Sequence, residues 1–189
     1  MGDFGVTLDA CVLVDRAVAD TLLRAAEAGL YRVRWSPDIL GETERAMVRL
    51  LVRAGRTDPE RAAQRLVAEL RAAFPDARVT GYEGLLPVMQ NDPGDRHVLA
   101  SAIVGHSRAI VTWNIRHFPA SALAPYGIAV LTPDAFLSDL FDLAPDVLCD
   151  ILRAQAAFLT RPPRPFEELL DTLHRDVPAF IAAVRRHLA

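Results

Sequence analysis

Lysine is absent from this 189-residue sequence, in which arginine supplies all 21 basic residues. Its absence excludes every catalytic mechanism that depends on a lysine side chain. Long apolar runs are absent too, since none approaches the roughly 20 residues that a membrane-spanning helix requires. The first residues, Met1-Gly2-Asp3, lack the basic flank of a signal peptide. We therefore expect a cytoplasmic protein that has no membrane partner.

Cysteine is scarce. Cys11 and Cys149 are the only two cysteines, and they lie far apart in the sequence. This usage favours a reducing compartment, with both thiols as small buried hydrophobic groups rather than a disulfide or a metal-binding pair.

An overall excess of basic residues, which nucleic-acid-binding proteins usually show, is also missing. The formal net charge is −3. The acidic excess is confined to one part of the chain, because residues 1–133 carry 15 acidic and 15 basic residues while residues 134–189 carry 9 and 6. The composition therefore leaves room for a local nucleic-acid-binding surface in the first 133 residues.

Alternating strand and helix patterns predict an α/β fold. Buried strands are predicted over four apolar segments: Gly5–Leu8, Tyr31–Trp35, Ala109–Trp113 and Ile128–Leu131. Helices are predicted between them, over Ala17–Ala28, from Pro37, from Pro59, and from Pro93 to Gly105; Ser36, Asp58 and Asp92 precede the three prolines as caps. This alternation predicts a parallel sheet with helices on both faces. In such sheets ligands bind beyond the carboxyl ends of the strands.

The pattern changes after Thr132-Pro133. Four amphipathic helices are predicted, over Asp134–Asp142, Pro145–Phe158, Phe166–His174 and Val177–Leu188, and the proline-rich residues 161–165 predict a stiff connector between them. We therefore predict an α/β domain over residues 5–133 and a helical extension over residues 134–189. Packing of the extension onto the main domain is the default, and dimerisation or substrate selection are the alternatives.

Four oxygen-bearing side chains are candidates for one site. Asp9 follows the first strand, Asn114 follows the third, and Glu42 and Asp95 lie in the first turns of predicted helices. Clustered carboxylates repel one another unless a cation neutralises them, and oxygen ligands suit Mg²⁺ or Mn²⁺. Such ions support phosphodiester hydrolysis, because they activate water and stabilise the leaving oxygen.

Each of these residues also has a purely structural interpretation. Asp9 and Asn114 could be turn formers, and Glu42 could belong to a solvated helix face. Asp92 and Asp95 fit a helix-capping arrangement. The ligand role is favoured for Asp9, Asp92 is better explained as a cap, and spacing alone leaves Asp95 open.

The order and local sequence of these segments resemble the PIN-domain family over about residues 5 to 133. The resemblance rests on Val6-Thr7-Leu8-Asp9-Ala10, on the segment from Ser36 to Glu42 (SPDILGE), on the segment from Asp92 to Ala100 (DPGDRHVLA), and on the segment from Val111 to Pro119 (VTWNIRHFP). The chain looks especially like bacterial VapC-type toxins that carry an additional C-terminal helical region.

The resemblance implies a divalent-metal ribonuclease, often the toxin of a toxin–antitoxin pair. It implies Asp9, Glu42 and Asp95 as metal-binding carboxylates, with Asn114 as a further catalytic residue. Many members have aspartate in place of Asn114 and another acid in place of His117. With fewer anionic ligands, we expect one metal site rather than two. Thr112 occupies the place of a hydroxyl that orients this network.

RNA contacts are predicted at basic residues around the site. Glu42, Arg45, Arg49 and Arg53 share one helix face, so the arginines could follow RNA phosphates. An ordinary charged outer face or an antitoxin-docking surface are the alternatives. The candidate substrate-binding residues are Thr112, Arg45, Arg49, Arg96, Arg116 and His117.

Two rival classes of protein remain. A phosphotransfer enzyme with Asp9 at the end of strand one is poorly supported, because position 11 is cysteine, lysine is absent and no glycine-rich phosphate loop is present. The stronger rival is a PIN-like module that binds RNA or a protein with weak or no nuclease activity. Homodimerisation and a cognate antitoxin are further expected partnerships.

Overall fold

A four-stranded parallel sheet forms the centre of the computed structural model, which describes residues 4–158 and 165–189. Its strands are β1 (Gly5–Leu8), β2 (Arg32–Arg34), β3 (Ser107–Val111) and β4 (Ala129–Leu131), in the order β2-β1-β3-β4. All four residues of β1 are buried. Because successive side chains point to opposite faces, both faces of this strand are covered. The predicted α/β fold with a parallel sheet is confirmed.

Helices connect the strands. The connections contain α1 (Ala10–Leu13) and α2 (Arg16–Glu27), then α3 (Pro37–Arg53), α4 (Pro59–Ala73) and α5 (Arg96–Val104), and finally α6 (Ala120–Leu123). Ser36 caps α3 as expected, because its hydroxyl accepts a hydrogen bond from the Ile39 N–H at 3.2 Å. Asp58 precedes α4 but forms no side-chain cap hydrogen bond.

Several predicted boundaries were wrong by one or more residues, and two of them lie at the candidate site. The third strand ends at Val111 rather than Trp113, because Thr112 accepts a hydrogen bond from the Asn114 N–H at 3.0 Å and the chain turns there. The helix expected from Pro93 begins at Arg96, because Pro93–Asp95 form a 3₁₀ turn. Asp95 is therefore the N-cap residue of α5 rather than a member of its first turn.

The C-terminal part is helical, as predicted. It contains α7 (Pro133–Leu143), α8 (Pro145–Phe158), α9 (Phe166–His174) and α10 (Pro178–Leu188); residues 161–164 of the predicted connector lie outside the described residues. This part packs on the α/β part, where the Thr21 hydroxyl donates to Gln155 Oε1 at 2.7 Å. The rings of Tyr31 and Phe136 meet edge to face, with centroids 5.1 Å apart. Of the helices in the described ranges, none has the length and apolarity to span a membrane.

The strand order places a crevice beside β1. This strand lies between β2 and β3, so the chain leaves β1 toward one side of the sheet and later adds β3 on the other side. In open α/β sheets a ligand site lies at such a reversal, beyond the carboxyl ends of the strands. Asp9 directly follows β1, and its N–H donates to the carbonyl oxygen of Val111, the last residue of β3, at 3.1 Å.

Candidate active site

Asp9 is a buried carboxylate at this crevice, with only 3% of its surface exposed. Its Oδ1 accepts a hydrogen bond from the Ala10 N–H at 2.6 Å. Its Oδ2 accepts from the Thr112 hydroxyl at 2.6 Å and from the Cys11 thiol at 3.1 Å. No basic residue within residues 4–158 and 165–189 forms an ion pair with Asp9. A buried carboxylate that has hydrogen-bond donors but no ion pair at contact distance is suited to bind a cation.

Thr112 holds Asp9 in place. The Thr112 side chain is fully buried, and its hydroxyl donates to Asp9 while accepting from the Asn114 N–H. The family resemblance implied that Thr112 orients this network, and Thr112 was also a candidate substrate-binding residue; its hydrogen bond to Asp9 and its burial favour the orienting role. Asn114 is half-buried, and its backbone carbonyl oxygen accepts a hydrogen bond from the backbone N–H of His117 at 2.9 Å.

Asp95 faces His117. The Asp95 Oδ2 and His117 Nδ1 atoms are 2.6 Å apart. Burial raises the pKa of the Asp95 carboxyl, and the negative charge of Asp9 raises it further, although contacts with His117 and His97 oppose the shift. The influence of Asp9 on this pKa shows that the two carboxylates share one electrostatic environment.

Glu42 is paired with a histidine from α5. Its Oε2 lies 3.4 Å from His97 Nε2, which is within ion-pair distance, but the two atoms form no hydrogen bond. Burial lowers the pKa of His97, but the carboxylates of Glu42, Asp38 and Asp9 outweigh this effect, and the net shift is upward. Asp9, Glu42 and Asp95 thus all interact electrostatically with His97, but within residues 4–158 and 165–189 their oxygens do not form a group in which all lie within 4.8 Å of one another.

A groove of about 520 Å³ opens next to Glu42. It is lined by residues of α3, α5 and the segments before α5: Asp38, Glu42, Arg45, Leu86, Pro87, Pro93, Arg96 and His97. Two of the predicted substrate-binding arginines, Arg45 and Arg96, are therefore in the groove. Arg49 is exposed further along α3 and does not line it, and Arg116 is exposed beside His117.

Sequence reasoning missed the role of Cys11. The thiol is half-buried and donates to Asp9, whereas the expectation was a purely hydrophobic contact. Burial and the charge of Asp9 raise the pKa of Cys11 to about 12. The one sequence feature that could have indicated this contact is that Cys11 lies two residues after Asp9. Cys149 is buried, as expected.

Tyr82 was also missed, whereas Asp92 was predicted correctly as a cap but not as a neighbour of Asp95 and His117. The Tyr82 hydroxyl donates to Asp38 Oδ2 at 2.7 Å at the edge of the groove. Asp92 caps the 3₁₀ turn, since its Oδ1 accepts from the Gly94 N–H at 2.9 Å, but it also lies near Asp95 and His117. A capping motif in the sequence does not reveal that Asp92 also lies close to His117.

The donors around Asp9 and Asp95 fit a divalent ion. Carboxylate oxygens are the ligands that Mg²⁺ and Mn²⁺ take in proteins. Asp92, Asp95 and His117 each offer one ligand atom within 4.8 Å of the others. Asp9 and Glu42 contribute negative charge to the same region.

A parallel sheet with Asp9 directly after its first strand, Glu42 on α3 and Asp95 at the start of α5 has the arrangement of a PIN domain. The PIN-domain family model matches residues 5–116, more than half of the chain, and the chain belongs to this family. A model of the VapC50 C-terminal domain matches residues 133–186, the region of α7 to α10.

One curated relative has a similar sequence. The protein named "Putative ribonuclease VapC50" from Mycobacterium tuberculosis is 42% identical over 106 residues, which are 56% of this chain and 63% of the relative. The match therefore spans less than two thirds of the relative's length. No solved structure matches the chain significantly.

Proposed function

We propose that this protein is a divalent-metal-dependent endoribonuclease and the toxin of a type II toxin–antitoxin pair. The observation that carries the proposal is Asp9, a buried carboxylate that forms no contact ion pair within residues 4–158 and 165–189 and is held by Thr112 at the carboxyl ends of the two central strands. Membership of the PIN family and the name of the similar ribonuclease support the same activity. We propose that it acts in the cytoplasm.

Asp9, Glu42 and Asp95 would hold Mg²⁺ or Mn²⁺. When bound, such an ion supplies an activated water and stabilises the leaving oxygen of a phosphodiester. The chain provides the fixed carboxylates: the Thr112 hydroxyl and the Ala10 N–H hold both oxygens of Asp9, and the backbone N–H of Asn114 fixes Thr112 in turn. Preorganised groups of this kind need no rearrangement during the reaction.

RNA would enter along the groove beside Glu42. Arg45 and Arg96 line this groove and are suited to phosphate oxygens, which arginine binds with two parallel hydrogen bonds. Leu86 and Pro87 line it as well and offer apolar contacts for bases. Because phosphate contacts carry no sequence information by themselves, these arginines would provide affinity rather than choice of cleavage site.

The test compares purified wild type with Asp9→Asn and Asp95→Asn on single-stranded and structured RNA in the presence of Mn²⁺. We expect cleavage by wild type, at least a 100-fold loss in both variants, and loss of cleavage with EDTA. Asp139→Asn is the matched control, because it removes the same charge from an exposed position on α7. It should cleave like wild type.

The opposite result would favour the rival function. RNA binding by wild type without any cleavage in Mn²⁺ or Mg²⁺, and growth inhibition that neither substitution relieves, would identify a binding module rather than a nuclease. A binding module is the relevant alternative because Asn114 and His117 stand where many family members have acidic residues.

The proposed partner is a cognate antitoxin encoded by a short neighbouring reading frame. Co-expression should yield a complex and restore growth. Homodimerisation is a further proposal, for which the exposed side chains of Leu143 and Val147 near the α7–α8 junction offer apolar contacts. Light scattering at assay concentration would test it, and Leu143→Ser should shift a dimer toward monomer.

A further inference from the structure

A mixed group of carboxylates and imidazole lies at one edge of the candidate site. The ligand atoms of Asp92, Asp95 and His117 are all within 4.8 Å of one another, and the described ranges 4–158 and 165–189 contain no other such group of three histidine, cysteine or acidic residues. The Asp95 and His117 side chains are 16% and 28% exposed, so they are largely shielded from solvent. Asp92 is exposed and leaves the group accessible to an ion.

The backbone fixes these three residues relative to one another. The Asp92 N–H donates to the His117 carbonyl oxygen at 3.0 Å, and the Asp95 N–H donates to the Asp92 carbonyl oxygen at 2.9 Å. The His117 N–H is bound by the Asn114 carbonyl oxygen at 2.9 Å. The two turns that carry the ligands are thus tied together before any ion binds.

Small side-chain movements would bring the three ligand atoms to the spacing that a single ion requires. With ligands at about 2.1 Å, neighbouring donors of an octahedral ion are about 3 Å apart and opposite donors about 4 Å apart. Asp95 Oδ2 and His117 Nδ1, at 2.6 Å, need to separate only slightly to become neighbouring ligands. Asp92 uses Oδ1 to accept from the Gly94 N–H, and its other oxygen can face the ion.

We propose that His117 Nδ1 is a direct ligand of the divalent ion, together with Asp95 and Asp92, and that it moves the metal preference of this site away from Mg²⁺ and toward Fe²⁺, Co²⁺ or Zn²⁺. Imidazole nitrogen suits these transition ions, whereas Mg²⁺ prefers a shell of oxygen ligands. The inference rests on the proposed nuclease function and deepens it, because Asp95 belongs to both ligand sets: Asp92 and His117 join Asp9 and Glu42 around the same ion, and the nitrogen ligand replaces the expected Mg²⁺ by a transition ion.

Measurements of metal binding in the absence of RNA test whether His117 is a ligand of the ion. Calorimetric titration of metal-free wild type with Co²⁺ and with Mg²⁺ should show much tighter Co²⁺ binding. In His117→Asp the ratio of the two affinities should fall at least ten-fold, because an oxygen ligand replaces nitrogen. Asp92→Asn should weaken Co²⁺ binding about ten-fold, and it alters only an exposed side chain, which protects the test if the His117 variants fold poorly.

Pulsed electron paramagnetic resonance of the Mn²⁺-loaded protein identifies the nitrogen donor. We expect a ¹⁴N coupling in wild type and its loss in His117→Asp and His117→Asn. His97→Gln is the matched control, since His97 is the other histidine beside a candidate acid, and its coupling should be unchanged.

Three results would overturn the inference: no nitrogen coupling in wild type, a coupling that persists without His117, or an unchanged affinity ratio in His117→Asp. None of these results would contradict the nuclease proposal, which is tested separately by comparing RNA cleavage in wild type with that in the Asp9 and Asp95 variants. Conversely, a nitrogen-ligated ion in a protein that cleaves no RNA would retain this site and remove the nuclease function.

Discussion

The hydroxyl of Thr112 donates to Asp9 Oδ2 at 2.6 Å and joins the ends of β1 and β3. Both residues are buried, so water cannot replace this hydrogen bond if it is lost. Hydrogen bonds to a charged acceptor are stronger than neutral ones. The position of the Asp9 carboxylate therefore depends on a residue that lies about 100 positions later in the chain.

Replacing Thr112 by valine should destabilise the protein by about 1–3 kcal/mol, because a buried carboxylate loses a donor while the side-chain shape is kept. RNA cleavage should fall as well, since Asp9 is no longer fixed. Urea unfolding and single-turnover cleavage measure the two effects. Thr112→Ser retains the hydroxyl and should stay close to wild type. A valine variant with wild-type stability and activity would contradict the positioning role.

Cys11 should react slowly with thiol reagents despite its partial exposure. A pKa of about 12 in place of 9.0 reduces the thiolate fraction at pH 8 about a thousand-fold. The rate is measured with iodoacetamide in a Cys149→Ala background, where Cys11 is the only thiol. Burial is the larger cause of the shift, and Asp9 adds to it, so Asp9→Asn should speed labelling about ten-fold. Equal rates in the two proteins would remove Asp9 as a cause.

The Glu42–His97 pair should make stability depend on pH in metal-free protein. The pKa of His97 in the folded state is raised above its ordinary value of 6.5, so the folded state favours protonated His97. Its contribution is complete below pH 6.5 and is lost as the pH rises through the folded-state pKa. Urea unfolding in EDTA from pH 5.5 to 8.5 should therefore show falling stability.

His97→Gln should flatten this part of the pH profile. His174→Gln, which alters an exposed histidine on α9, is the control and should retain the wild-type slope. If the His97 variant keeps the slope, another group is responsible for it.

Gln155 should be important for attachment of the C-terminal helices. Its Nε2 donates to the Ala17 carbonyl oxygen at 3.0 Å, its Oε1 accepts from Thr21, and it is 2% exposed. Gln155→Ala should lower the free energy of unfolding by about 1–3 kcal/mol, because it leaves a cavity and unpaired polar groups. Gln64→Ala, at an exposed position of α4, should change it by less than about 0.5 kcal/mol. Similar values for the two variants would contradict the anchoring role.

The sequence was sufficient for the features that depend on local patterns. The Ser36-Pro37 pair predicted the start of α3, and apolar runs predicted the parallel sheet. The α1 helix was missed because four residues are too few for a periodic pattern. The end of β3 was misplaced because it depends on a side-chain hydrogen bond of Thr112 rather than on apolarity.

The candidate site divides in the same way. The place of Asp9 after a buried strand could be predicted from the chain, because strand ends share one edge of the sheet. The pairing of Glu42 with His97 and of Asp95 with His117 could not, because it depends on how α3, α5 and the turn after β3 pack against one another. Those pairings give the site its electrostatic character.

The contact between Gln155 and α2 bears on how the two matched family regions fold. Tyr31 and Phe136 place side chains from both regions in one continuous hydrophobic core, and Thr21 and Gln155 join the regions by a buried hydrogen bond. Because the core is shared in this way, we expect the helices after residue 133 to unfold together with the α/β part as a single cooperative unit. Residues far from the acidic crevice therefore help to determine how rigidly it is held.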